Sequence, residues 1–128
     1  MTIEEAINEH LRNYPGLVGN NVKPGFITLG QTLPAISYAR VSHNPTQHRS
    51  SRRAYHSRDR FQFDVWASTY GGVVNTRNVL KDAMADFQRT SDPRVDVALI
   101  ADDRDAYEAE PSRWRAIVDF QITYSEDD

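Results

Sequence analysis

Arg60-Phe61-Gln62-Phe63-Asp64-Val65-Trp66-Ala67-Ser68 decides the fold, together with the helix-spaced residues after it. Phe61, Phe63, Val65 and Ala67 alternate with Gln62, Asp64, Trp66 and Ser68. A period of two, carried by aromatic and β-branched residues, belongs to a half-buried strand. The period then changes: Val73, Thr76, Leu80, Ala83, Met84 and Phe87 recur at three and four, on one helical stripe. The spacing predicts a helix from about Gly71 to Arg89. Ser68 or Thr69 is placed to cap it, because a short side-chain oxygen satisfies a free N–H of the first turn. A strand handing straight to an amphipathic helix lets the helix fold back over the sheet's apolar face.

Upstream, Thr2-Ile3-Glu4-Glu5 reads as a capping box. Ile3, Ala6, Ile7, His10, Leu11 and Tyr14 mark one face of a first helix, which Pro15-Gly16 closes. His10 on that stripe reads as a packed, hydrogen-bonded histidine. The next stretch is turn-rich, with a short edge strand near Val22 to Thr28, kept from the sheet centre by Pro24. Alternation returns from Pro34 to Ser42, with Ile36, Tyr38 and Arg40 opposite Ala35, Ser37, Ala39 and Val41. His43 to Asp59 has no apolar period and predicts a long projecting hairpin loop. Downstream, Val95, Val97, Leu99 and Ala101 alternate. An acidic connection spans Asp102 to Glu110. The last strand runs from Arg113 to Tyr124, with Trp114, Ala116, Val118, Phe120, Ile122 and Tyr124 on one face. Residues 125–128 form a short acidic tail.

At 128 residues this is read as one domain, 1–128. The class is α+β: a mainly antiparallel sheet of four or five strands with two helices packed on one face. Arg60–Ser68 and Arg113–Tyr124 should lie side by side in the centre. The strand-helix-strand connection should be a right-handed crossover that leaves room for the last strand to slot between, antiparallel to both.

Chemistry is sparse. The chain has no cysteine, which excludes disulfides, thiolate metal sites and cysteine nucleophiles. No apolar run approaches the roughly 18 residues of a membrane span, so no membrane partner is expected. The net charge of −3 gives no global reason to expect nucleic acid. His43, His48 and His56 lack the short, fixed spacings of a zinc site. Asp102-Asp103-Arg104-Asp105 lacks the glycine and the distal glutamate of a calcium loop. There is no nucleophile elbow, phosphate loop or dinucleotide glycine pattern. Asp64 and Asp119 could form a carboxylate pair on the polar face, but pairing with Arg115 or Arg60 is the simpler reading. No enzyme, cofactor or metal is expected. The strongest local signal is charge: Arg40 to Arg60 holds six arginines against Asp59, a net of +5. Arginines interleaved with Tyr55 also suit a small nucleic-acid-binding module, the alternative reading.

The chain offers a wider comparison through three groups of residues: Leu33-Pro34-Ala35-Ile36-Ser37-Tyr38, Arg60 to Ala67 with its helix, and Trp114-Arg115-Ala116-Ile117-Val118-Asp119-Phe120-Gln121-Ile122. From about Ile3 to Tyr124 it resembles the tail completion family of long-tailed phages and prophages, also called tail terminators or tail-to-head joining proteins. Gly71-Gly72 stands where that family more often has helix formers. The resemblance implies a structural, non-enzymatic virion protein of the tail or neck, present in the host cytoplasm during assembly. It implies a homo-oligomeric ring, usually a hexamer, that ends tail tube growth and joins the head-tail connector or stopper protein. DNA passing through the channel is a further contact it implies. In such a ring, Arg49, Arg52, Arg53, Tyr55 and Arg58 are the candidates to contact an acidic neighbour. Asp102, Asp103, Asp105, Glu108 and Glu110 are the first surface to consider, since that connection carries −4.

Overall fold

The structure, a computed structural model, describes residues 1–17, 22–25, 33–47, 55–91, 93–108 and 113–125, with backbone alone for 44–47, 55, 56 and 108. The order is α1 (Ile3–Arg12), β1 (Val22–Pro24), β2 (Ala35–Gln47), β3 (Tyr55–Ala67), α2 (Tyr70–Ala85), β4 (Arg94–Glu108) and β5 (Arg113–Ser125). The five strands form one sheet in the order β1-β2-β3-β5-β4. Only β1 and β2 are parallel. The α+β class holds, and the last strand does insert between β3 and β4, antiparallel to both.

Each helix starts as its residues dictate. Thr2 caps α1, its side chain accepting from the Glu5 N–H while Glu5 accepts from the Thr2 N–H. Thr69 caps α2 by accepting from the Gly72 N–H at 3.0 Å. The first helix stops at Arg12, and Gly16 then takes φ +93°, which an L side chain adopts only with strain. The second helix ends at Ala85, earlier than Arg89, yet Phe87 stays buried just beyond it. Helical spacing overruns there because Phe87 still points at the core from the cap segment.

Ile3, Ala6, Ile7 and Leu11 of α1 join Val73, Leu80, Ala83 and Met84 of α2 in one core. They meet Phe61, Phe63, Val65, Val118, Phe120 and Ile122 of the central strands. These are the alternating apolar sets read from the sequence. Tyr38 stacks on Phe63, and Phe63 meets Phe120 edge-on at 5.5 Å. His10 is packed as expected, its Nε2 2.6 Å from the Ala83 carbonyl oxygen.

Strand boundaries differ from the sequence reading in three places. Strand β2 runs to Gln47 and β3 begins at Tyr55, so 43–47 and 55–59 are paired ribbon rather than loop. Ser125 completes β5 rather than opening the tail. The larger correction is at Asp102 to Glu110. Strand β4 continues through Glu108, and Asp102 to Glu108 pair with Asp119 to Arg113. Asp103 and Asp105 fall on one face and Asp102 and Arg104 on the other, and β5 supplies a partner strand along the whole segment.

Candidate interaction surfaces

The ribbon is anchored at its root by a buried carboxylate. Asp59 is fully buried. It accepts the Tyr124 hydroxyl at 2.6 Å, and His43 Nδ1 lies 2.5 Å from its other oxygen. Arg40 Nε sits 3.2 Å away, and the same guanidinium also bonds Glu4 of α1. Burial works against the Arg40 charge, but Asp59 and Glu4 outweigh it and hold its pKa above the ordinary value. Burial raises the Tyr38 pKa, and its hydroxyl donates to the Glu4 carbonyl at 3.3 Å. These contacts tie the ribbon's base to α1 and to the central strand β5.

Above that base the sequence turns basic. Arg58 is exposed, in register with Thr123 on one side and Asn44 on the other. Tyr55 lies on the ribbon backbone opposite Gln47. Arg49, Arg52 and Arg53 fall outside the described residues, as do His48 and Glu110.

The acidic surface is a strand edge with partners of its own. Asp105 bonds Arg77 of α2, and Asp103 bonds Lys81. The geometry rests on two repeats. Residues two apart on a strand are about 6.6 Å apart, and residues four apart on a helix about 6 Å. Tyr70 and Tyr107 both pack on Trp114 at 4.9 Å, closing the same end of the helix layer. Asp102 pairs with Arg104. Among the described side chains, Asp102, Asp103 and Asp105 are thus engaged by Arg104, Lys81 and Arg77, and no ion pair joins them to Arg58.

The helix-free face of the sheet carries balanced charge. Arg60 bonds Asp119 at 2.8 Å and Arg115 reaches Asp64 at 3.1 Å, so the two aspartates are arginine partners rather than a carboxylate pair. Trp66, on this polar side of the alternation, is nonetheless buried. The guanidinium carbons of Arg113 and Arg115 lie 4.0 and 4.9 Å from its ring centroid. Among the described residues, no group of three His, Asp or Glu side chains is disposed to hold a metal.

One set of surface residues escaped the sequence reading. Val41, Leu99 and Ile100 are 51%, 58% and 53% exposed. The available signal was Leu99-Ile100 itself. Two adjacent large aliphatics in one strand cannot both face the core.

Comparison with curated proteins gives no match. Among solved structures, a chain of the virion of a native gene transfer agent particle has the same fold, with a TM-score of 0.75. The two are 13% identical, over 96% of this chain and 94% of that one, so the likeness is one of fold. The family model described as tail completion protein gp17 matches residues 5–125. A match that runs from within α1 through α2 and all five strands makes the chain a member of the tail completion protein gp17 family, and with that a structural protein of the virion tail.

Proposed function

We propose that this chain forms a closed homo-oligomeric ring, of six subunits, at the head-proximal end of the tail. There it ends growth of the tail tube and joins the tail to the head-tail connector or stopper protein. It acts without catalysis or cofactor, as a single domain. The observation that carries this reading is the family match over residues 5–125. The geometry agrees with it: a sheet with two distinct edges suits the head-to-tail contacts from which rings close.

Within the ring, Arg49, Arg52, Arg53, Tyr55 and Arg58 approach the acidic β4 segment of the neighbour, Asp102, Asp103, Asp105, Glu108 and Glu110. Because Asp103 and Asp105 already bond Lys81 and Arg77, the incoming arginines share those carboxylates rather than meeting them bare. Each exposed pair contributes only about 0–1 kcal/mol, so their joint effect is on orientation and on rejection of wrong partners. Mass measurement of the concentrated full chain tests the ring. Closed multimers that dissociate at high salt are expected. A monomer at every concentration and salt, binding DNA with a steep salt dependence, would favour the nucleic-acid alternative instead.

A further inference from the structure

The sheet has two outer edges, and each is covered or interrupted at particular places. On one side, β1 covers Ile36 to Tyr38 of β2, and the Gly25 N–H takes the Tyr38 carbonyl. Further along β2, Pro45 has no N–H to offer a further strand. On the other side, Arg89 exchanges both backbone bonds with Val95 of β4. Beyond Asp102 the β4 edge is charged. Among the described residues, what remains open is Arg40 to Asn44 on β2 and Val97 to Ala101 on β4. Among the described residues, no backbone group outside β3 and β5 pairs with these two stretches.

The two open stretches lie at the same height. Arg40 is in register with Phe61, Phe61 with Phe120, and Phe120 with Ile100. Ser42 leads in the same way through Arg60 and Gln121 to Leu99. Val41, which lies between Arg40 and Ser42, and the pair Leu99 and Ile100 are therefore at opposite ends of one row across the sheet. All three are more than half exposed. Strands β2 and β4 also run in opposite directions, since each neighbouring pair between them is antiparallel.

We infer that a second copy of this chain docks its Val41 edge against the Leu99–Ile100 edge of the first. This rests on the ring reading and specifies its contact surface. A rotation about an axis along the strands keeps both height and direction, so Val41 of one copy meets Leu99 and Ile100 of the next, antiparallel. The two edges complement each other in charge. Strands β1 and β2 hold Lys23 and Arg40 and no carboxylate. Strand β4 holds Arg94 and Arg104 against Asp96, Asp102, Asp103, Asp105 and Glu108, a net of −3. Bulges at Val41 and Ala101 interrupt both edges, which keeps the contact short and led by side chains rather than a long ladder. The contact is heterologous, so it generates a ring rather than a two-fold dimer.

The cysteine-free chain makes disulfide trapping direct. Val41→Cys and Leu99→Cys variants of the full chain are mixed, oxidised at high concentration and resolved without reductant. The inference expects 41–99 linked dimers from the mixture, none from either variant alone, and a ladder of multimers from the double variant. It also expects Leu99→Asp to melt with the wild type while losing assembly. Multimers that form without 41–99 links, or with 41–41 or 99–99 links, overturn this contact and leave the ring standing. A chain that stays monomeric by mass and yields no links overturns the ring reading, and this contact with it.

Discussion

Tyr124 donates its hydroxyl to Asp59 at 2.6 Å, between the last strand and the root of the basic ribbon. Both residues are buried. The bond crosses from β5 to β3 and gives a buried carboxylate the donor it needs. Tyr124→Phe should therefore destabilise by about 1.5–3 kcal/mol, the usual worth of a hydrogen bond to a charged group. Asp59→Ala should cost more, because it removes the acceptor of the Tyr124 hydroxyl together with a partner of both His43 and Arg40. Urea unfolding followed by circular dichroism checks both, and equal stability for all three proteins would refute the anchor.

The core between helix and sheet is tested at Leu80 and Phe87, both fully enclosed. Either residue changed to alanine should lower stability by about 2–5 kcal/mol. Wild-type melting in both variants would show that this packing is wrong.

Two adjacent glycines at the start of α2 should behave differently. A Cβ on Gly71 meets nothing within 4 Å, whereas one on Gly72 falls 3.0 Å from the capping Thr69 Oγ1 and 3.3 Å from Ala67 Cβ. Gly71→Ala should stabilise by up to about 1 kcal/mol through helix propensity. Gly72→Ala should lose that gain by crowding the cap, and Thr69→Ala should cost about 1 kcal/mol. Thermal melts of the three variants decide this; a larger gain at Gly72 than at Gly71 would contradict it.

Reversing charge in the sequence between β2 and β3, with Arg52 and Arg53 both changed to glutamate, should impair ring formation and leave the melting temperature of the subunit unchanged. Sedimentation across a salt series is the measurement. Normal assembly of that variant at every ionic strength would remove the ribbon from the interface.

Sequence period was a sound guide wherever one face is buried and the other wet. Phe61 to Ala67 and Trp114 to Tyr124 showed their core face directly, and so did the stripe from Val73 to Met84. The sheet order came from the length of those strands. Charge obscured what period could not show. Asp102 to Glu110 looked like a solvated turn because Asp103 and Asp105 are satisfied from another element, by Lys81 and Arg77. No local rule announces partners 22 and 28 positions upstream, on a helix whose four-residue spacing matches a strand's two-residue spacing. Trp66 was placed on the polar face, yet it is buried there, with the guanidinium groups of Arg113 and Arg115 over its ring. The exposed aliphatics at the two edges were hidden for a related reason: Val41, Leu99 and Ile100 gain meaning only once register puts them in one row.

Averaged electron microscopy of the parent tail, with this chain located by a bound antibody fragment, tests the central claim most directly. The account predicts one closed ring of this protein, six-fold symmetric, capping the tube at its head-proximal end. A single asymmetric copy, or copies spread along the tube, would contradict it.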